Sequence, residues 1–251
     1  MQLELDGAVA LVTGSTRGIG LAIAEALHFE GCTVVLNGRN KDDLATATDK
    51  LEGSVGFVGD VTDPVEAKRI VSDAVKALGR LDIVVCNVGG GRSVSPGNET
   101  YDEWQRVFAL NLWSVTNIIE AARDSLAASR GVFVCVSSIC GIEFVTGAPI
   151  TYSCAKAALN AYIRGVSRPL GMQGIRINAV APGNILFEGS VWSGKLSENP
   201  EEVKTMLERN VALKKFGTKK NVAELVAYLS SPRSDFVTGA VWTIDGGQVH
   251  S

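Results

Sequence analysis

The chain has 251 residues, which is long enough for a substantial core and typical of a single α/β domain. Apolar residues make up 46% and charged residues 20%, which excludes a disordered chain, and a net charge of −3 gives no general attraction to nucleic acid or anionic membranes. The start of the chain has no basic, apolar leader, and no segment offers about eighteen unbroken apolar residues. We therefore expect a cytoplasmic protein.

Short β-rich apolar runs alternate with segments of helical length along the chain. Such alternation predicts repeated βαβ units, and therefore an α/β fold with a parallel sheet covered by helices on both faces. We expect residues 1–251 to form one domain. The predicted strands are Ala8–Thr13, Thr33–Asn37, Val55–Gly59, Leu81–Cys86, Val132–Ser137, Ile175–Val180 and Val241–Ile244.

The first predicted strand leads directly into a glycine-rich loop, Gly14-Ser15-Thr16-Arg17-Gly18-Ile19-Gly20, and then into a helix pattern. Glycine lets backbone N–H groups approach a phosphate closely, and a helix N-terminus adds partial positive charge. The loop therefore predicts the site of a dinucleotide pyrophosphate. A plain tight turn is the alternative interpretation.

Tyr152 and Lys156 are four residues apart, a spacing that places both side chains on one face of a helix. A nearby ammonium group favours phenolate and lowers the pKa of a tyrosine, so we expect this pair to move a proton near neutral pH. Five cysteines lack the spacing of a metal site or a disulfide framework, and no metal is predicted. They lie at positions 32, 86, 135, 140 and 154.

The segment from Pro182 to Phe216 breaks the alternation with glycine, serine and charged residues. It is too long for an ordinary connection, and long loops of this kind often close over a substrate. We therefore predict a substrate loop at about 182–216.

In chain order, the motifs resemble those of the short-chain dehydrogenase/reductase family, in particular members similar to 3-oxoacyl-carrier-protein reductases. The resemblance covers essentially the whole chain and implies a Rossmann fold of about seven strands. It also implies hydride transfer between a nicotinamide cofactor and an alcohol or carbonyl compound. The matching residues are Thr13–Gly20, Asn87-Val-Gly89, Asn111, Ser138, Tyr152-x-x-x-Lys156, Pro182-Gly183, Val237-Thr-Gly239 and Asp245-Gly-Gly247.

The end of the second predicted strand favours NADP(H) over NAD. Gly38 takes the position where NAD-binding members carry a carboxylate, and Arg17 and Arg39 suit a 2′-phosphate. Both arginines could instead be solvated surface charges. By resemblance, the cofactor contacts Gly14, Ser15, Arg17, Gly18, Ile19, Gly20, Arg39, Asp60, Val61, Asn87, Gly89, Tyr152, Lys156, Pro182, Gly183 and Ile185. Phe187 replaces a threonine that often contacts the nicotinamide, which leaves that contact to backbone such as Ile185.

The resemblance also assigns the catalytic roles. Tyr152 is the acid in reduction and the base in oxidation, while Lys156 holds the nicotinamide ribose and lowers the tyrosine pKa. Ser138 hydrogen-bonds the substrate oxygen and is preferred to Ser137 because Ser138-Ile-Cys-Gly141 matches the family's Ser-x-x-Gly. Asn111 anchors a water that links Lys156 to solvent, or else satisfies helix backbone.

Three functions compete. The first is an NADPH-dependent reductase of a small or medium ketone, or the reverse alcohol dehydrogenase. The second is a 3-oxoacyl-carrier-protein reductase, against which Gln173 counts because a basic residue often stands there. The third is a non-catalytic nucleotide-binding regulator.

The family resemblance implies self-association into a homotetramer or a dimer, through the helices that carry Asn111 and Tyr152. Pro169 is a departure that can kink the second of these helices. The Gly89–Arg92 run predicts a flexible, charged rim beside a small-molecule substrate.

Overall fold

Seven parallel strands form one sheet in the order β3-β2-β1-β4-β5-β6-β7 in the computed structural model, which describes residues 2–250. The predicted α/β fold is confirmed, and the strand ends differ from the prediction by no more than two residues. The strands are β1 (Val9–Val12), β2 (Thr33–Gly38), β3 (Val55–Val58), β4 (Ile83–Cys86), β5 (Val132–Val136), β6 (Arg176–Pro182) and β7 (Val241–Ile244).

Nine α-helices connect and flank these strands within residues 2–250. A π-helical turn, Ala109–Trp113, joins α4 to α5, and a short 3₁₀ turn, Ile139–Gly141, follows β5. The helices are α1 (Gly18–Phe29), α2 (Lys41–Thr48), α3 (Pro64–Leu78), α4 (Tyr101–Phe108), α5 (Ser114–Ser129), α6 (Ile150–Gly171), α7 (Val191–Glu198), α8 (Pro200–Asn210) and α9 (Lys219–Ser230).

Each face of the sheet carries its own hydrophobic core. On β1, Ala10 and Val12 pack with α1 and α9, whereas Val9 and Leu11 pack with α3, α5 and α6. Both faces of the sheet are covered by helices, so the residues that point to either face of the central strands are apolar. These strands are therefore continuous hydrophobic runs in the sequence. The whole sheet is therefore held between two helical layers.

The carboxyl ends of the central strands meet in one crevice. After β1 the chain forms β2 and β3 on one side of that strand, and it then crosses back to form β4 on the other side. The order of the strands therefore reverses at β1. Ligands of open parallel sheets bind at such a point. The glycine loop, Asn87, Ser138 and Gly183 all follow strands that end at this edge.

The segment predicted as a loop at 182–216 is largely helical, so that part of the prediction is wrong. Ser190 accepts a hydrogen bond from the backbone N–H of Ser193 to begin α7, and Pro200 is the first residue of α8. The base of the segment is closed by a parallel bridge between Ile185 and Gly217. Local capping therefore organises what its composition suggested was irregular.

Candidate active site

Three glycines shape the loop between β1 and α1. Gly14 and Gly18 have φ values of 62° and 61°, in the left-handed region that favours glycine. A Cβ atom at Gly20 would lie 2.3 Å from the carbonyl oxygen of Gly14. The loop can therefore keep this shape only with glycine at all three positions, and its backbone is open to a phosphate group.

Two asparagine side chains form hydrogen bonds with the backbone of the glycine loop. Asn87 Nδ2 donates to the carbonyl oxygens of Thr13 and Gly14, both at 3.0 Å, and the backbone N–H of Gly14 donates to Asn37 Oδ1 at 3.3 Å. Asn87 was predicted as a site residue, but Asn37 was not. The signal for Asn37 is an uncharged polar residue inside an otherwise apolar strand, which must find partners when buried.

The end of β2 has no room for a carboxylate. A Cβ atom at Gly38 would lie 2.4 Å from Thr16 Cγ2, so the predicted absence of an acidic side chain also has a packing reason. Arg39 is three-quarters exposed, and its Nη1 lies 3.4 Å from Asp60 Oδ2. Arg17 is exposed at the start of α1. The Arg39 guanidinium group therefore lies beside the predicted adenosine end, and Arg17 is exposed at the start of the neighbouring helix.

Asp60 and Val61 follow β3 beside these arginines. Burial by itself would raise the pKa of Asp60, but hydrogen bonds from Thr62 and Arg39 outweigh it and hold the pKa below its ordinary value. Val61 is buried. The carboxylate is thus charged at neutral pH and already partnered.

Lys156 is buried on α6, one turn beyond Tyr152. Its Nζ donates to the carbonyl oxygen of Val136 at 2.9 Å and lies 5.9 Å from the centroid of the Tyr152 ring. A Cβ atom at Gly89 would lie 3.1 Å from the same Nζ. The predicted spacing does place both side chains at one site, and glycine at position 89 lets the backbone pass close to the ammonium group.

Ser138 and Ser137 have different surroundings. Ser138 lies close enough to Tyr152 to lower the pKa of the phenol, and its Oγ accepts from the backbone N–H of Cys140 at 3.2 Å. Ser137 is buried and donates to Asn160 Oδ1 at 2.6 Å. The structure therefore brings Ser138, rather than Ser137, to the tyrosine.

Asn111 lies in the π-helical turn and is fully buried. Its Nδ2 donates to the carbonyl oxygens of Gly90 at 3.1 Å and Val107 at 3.0 Å, and its Oδ1 accepts from the N–H of Gly90 at 2.9 Å. The side chain thus satisfies helix backbone, as the alternative interpretation held, and it also fixes the rim after β4.

The predicted flexible rim at Gly89–Arg92 is held at both ends. Besides Asn111 at Gly90, Arg106 Nη2 donates to the carbonyl oxygen of Arg92 at 2.9 Å. Between these points, a Cβ atom at Gly91 would lie 3.6 Å from Tyr152 Cε1. Hydrogen bonds therefore fix the backbone of this rim at Gly90 and Arg92.

The pKa of Tyr152 departs from the expectation. Burial raises the pKa of Tyr152 to about 12, and the Ser138 side chain opposes this only in part. Burial also lowers the pKa of Lys156 to about 8. The pKa of Tyr152 is thus raised, where the expectation was that Lys156 would lower it, because burial is the largest cause of its shift. Tyr152 is a neutral phenol at pH 7 and can donate a proton.

The end of β6 forms another wall of the crevice. Gly183 donates to the carbonyl oxygen of Ile244 at 3.1 Å, and Ile185 is buried. The ring of Phe187 contacts the glycine loop, since a Cβ atom at Gly18 would lie 3.1 Å from Phe187 Cε2. Pro182, Gly183 and Ile185 therefore lie across the crevice from the glycine loop, with an aromatic ring between.

A family model described as enoyl-(acyl carrier protein) reductase matches residues 14–249. The chain belongs to the short-chain dehydrogenase/reductase family. It is 34% identical to the 3-oxoacyl-[acyl-carrier-protein] reductase of Thermotoga maritima, over 98% of this chain and 100% of the relative. The resemblance expected from the motifs is confirmed, and the chain is an oxidoreductase of this family.

Solved structures of short-chain dehydrogenases share the fold. L-sorbose reductase from Gluconobacter frateurii, complexed with NADPH and L-sorbose, superposes with a TM-score of 0.94 at 25% identity, covering all of both chains. A 7α-hydroxysteroid dehydrogenase complexed with NADH and a 7-oxo bile acid gives 0.89 at 27% identity, covering 100% of this chain and 97% of the other. Among residues 2–250, no helix combines the length and apolar character that crossing a membrane requires.

Proposed function

We propose that the protein transfers a hydride between NADP(H) and a ketone or secondary alcohol, with Tyr152 as general acid in reduction and general base in oxidation. The placement of the buried Tyr152 phenol beside Lys156, and near enough to Ser138 for that side chain to lower its pKa, carries this proposal. It sets a neutral phenol near a second hydroxyl at the carboxyl edge of the sheet, where a carbonyl oxygen can receive both hydrogen bonds.

The residues present fit a nicotinamide dinucleotide. Glycine at positions 20 and 89 lets the chain pass close to the Gly14 carbonyl oxygen and to Lys156, since a Cβ atom would lie 2.3 Å from the first and 3.1 Å from Lys156 Nζ. The Lys156 ammonium group suits ribose hydroxyls, and the glycine loop suits the pyrophosphate. NADPH supplies the hydride when bound, and the protein orients the carbonyl carbon toward it.

The chain's own residues manage the proton. Ser138 Oγ accepts from the N–H of Cys140, so the serine hydroxyl keeps its hydrogen to donate to the substrate oxygen. Tyr152 donates its phenolic proton to that oxygen as negative charge develops on it. Lys156, whose pKa is lowered to about 8 by burial, can release a proton more readily than an exposed lysine. In the oxidative direction the same groups act in reverse.

NADP(H) is the cofactor that the adenosine end favours. Gly38 has no space for a ribose-binding carboxylate, and Arg39 and Arg17 lie where a 2′-phosphate needs cations. The NADPH complex of the sorbose reductase supports this choice. The NADH complex of the hydroxysteroid dehydrogenase means that the fold alone does not decide the cofactor.

Replacement of Tyr152 by phenylalanine tests the proposal. The change removes the proton donor and preserves the ring, so we expect NADPH oxidation with a panel of ketones to fall at least about a hundredfold. Tyr162→Phe is the matched control, because Tyr162 lies on the same helix away from Ser138. Undiminished turnover in Tyr152→Phe would refute the mechanism.

A 3-oxoacyl-carrier-protein reductase is the second candidate, favoured by the Thermotoga maritima relative. Acetoacetyl-CoA reduction would support it, and reduction of simple ketones or sugars alone would exclude it. Crotonyl-CoA should be tested in parallel, because the matching family model is described as an enoyl reductase.

We also propose that residues 1–251 act as one catalytic domain in the cytoplasm. In this proposal, residues 182–216 cover the substrate.

We further propose that the protein is a homotetramer or dimer. Exposed aromatic side chains support self-association: Phe236 is fully exposed, and Trp113 and Trp242 are each more than one-third exposed. Light scattering coupled to gel filtration tests the assembly.

A further inference from the structure

The first turn of α6 carries Tyr152 but has no side-chain cap. The helix begins at Ile150, and the preceding residue, Pro149, makes no side-chain hydrogen bond to the turn. A helix start leaves backbone N–H groups without partners, and an uncapped first turn frays easily. Ser153 Oγ bonds only to Pro149 within the same turn. The position of Tyr152 therefore needs an anchor from elsewhere.

A bridge of two hydroxyl groups supplies a link to α4. Ser93 Oγ lies 2.6 Å from Thr151 Oγ1 and donates to Glu103 Oε1 at 2.7 Å. A hydroxyl has one hydrogen, and an ionised carboxylate can only accept. Since the Ser93 hydrogen goes to Glu103, the bond between the two hydroxyls must be donated by Thr151. The bridge thus has one direction, from Thr151 through Ser93 to Glu103.

Glu103 is a firm end point for this bridge. Arg106 Nε donates to Glu103 Oε2 at 2.8 Å, and Arg106 Nη2 donates to Glu103 Oε1 at 2.7 Å. Paired charge-assisted bonds of this kind fix geometry as well as adding stability. The Glu103 side chain is only 14% exposed, and these bonds with that of Ser93 lower the pKa of its carboxyl group to about 2. It is therefore charged at neutral pH.

The same cluster fixes the rim beside the tyrosine ring. Arg106 also holds the carbonyl oxygen of Arg92, so the rim and the first turn of α6 share one support. Thr151 is fully buried and immediately precedes Tyr152. A shift of its hydroxyl would move the phenol relative to Ser138.

We infer that Glu103, through Ser93 and Thr151, is a positioning residue for Tyr152. The inference rests on the proposed function of Tyr152 as the proton donor. None of the three residues touches the reacting atoms. They hold the first turn of α6 at the distance from β5 that lets the phenol and Ser138 meet one carbonyl oxygen.

Removal of each hydroxyl of the bridge tests this role. We expect Ser93→Ala and Thr151→Val each to lower kcat about tenfold, with the KM for NADPH unchanged. The double variant should be no slower than either single variant, because both lose the same bridge. Thr151→Ser keeps the hydroxyl and should retain most of the activity.

The matched control is Ser129→Ala. Ser129 Oγ donates to the carbonyl oxygen of Leu81 at 2.7 Å. This bond also joins two segments, but it lies at the amino ends of the strands, opposite to the site. The pH at which kcat is half-maximal should move in Ser93→Ala and Thr151→Val and stay unchanged in Ser129→Ala. If Thr151→Val does not fold, Ser93→Ala carries the test, because Ser93 is only half-buried.

The outcomes separate this inference from the proposed function. If Tyr152→Phe is inactive while both bridge variants match Ser129→Ala in kcat and pH profile, the positioning role is refuted and the proton donor stands. If Tyr152→Phe remains active, the proposed function fails. Additive losses in the double variant would also refute a single shared bridge.

Discussion

Replacing Lys156 by methionine should abolish turnover and yet stabilise the fold. Lys156 is 2% exposed, and burial lowers its pKa from the ordinary 10.5 to about 8. At pH 7 the side chain is charged in both the folded and the unfolded chain, so the folded protein bears the cost of burying the charge. A difference of this size corresponds to about 3 kcal/mol, at about 1.4 kcal/mol for each pH step.

The methionine side chain keeps most of the apolar contacts of the lysine stem but loses one hydrogen bond. The bond from Nζ to the Val136 carbonyl oxygen, at 2.9 Å, has a charged donor and contributes about 2 kcal/mol. The expected net gain for Lys156→Met is thus about 1 kcal/mol, or a rise in Tm of about 2 to 4 °C for a chain of this length.

The gain should depend on pH in one direction. The pKa of Lys156 is lower in the folded chain than in the unfolded chain, so wild-type stability rises as the pH increases from about 8 to about 10.5. The advantage of Lys156→Met is therefore largest below pH 8 and shrinks above it. Thermal denaturation followed by circular dichroism at pH 7 and pH 10, without added cofactor, measures both values.

Lys220→Met is the matched control. Lys220 is an exposed lysine on α9 whose Nζ lies 3.7 Å from Glu224 Oε1, so its loss should leave Tm within about 1 °C. A lower Tm for Lys156→Met than for wild type at pH 7, or a gain that does not shrink by pH 10, would contradict the reasoning.

Three further predictions concern the serines, the cofactor and the glycine loop. Ser138→Ala should lower kcat about a hundredfold with Tm unchanged, whereas Ser137→Ala should cost about 1–3 kcal/mol of stability in thermal denaturation, because it removes a buried bond. Arg39→Ala should raise the KM for NADPH about tenfold and leave that for NADH unchanged in steady-state kinetics; equal effects on both would refute the phosphate contact. Gly20→Ala should abolish NADPH binding in a fluorescence titration, because its Cβ would lie 2.3 Å from a carbonyl oxygen, whereas Gly194→Ala, which meets open space, should bind normally.

Features that are formed by residues close together in the chain could be predicted from the sequence. The glycine loop depends on backbone geometry over seven positions, and the Tyr152 and Lys156 pair depends on the period of one helix. The central strands could be found because a strand buried on both faces is apolar throughout. These features are local, so neighbouring residues carry the information.

Contacts between distant segments could not be predicted in this way. Thr151 and Ser93 are 58 positions apart, and nothing in either neighbourhood indicates that their hydroxyl groups meet. Asn37 likewise supports Gly14 from the next strand. In both cases the order of the strands in the sheet determines which segments become neighbours.

The sequence by itself determined the fold class, the family and the composition of the site, because these follow from local periodicity and from motifs in a set order. Only the tertiary structure decided that Ser138 meets Tyr152 while Ser137 packs against Asn160, and that burial raises the pKa of the phenol. Burial and hydrogen bonding depend on every segment that surrounds a group, so they are properties of the assembled fold.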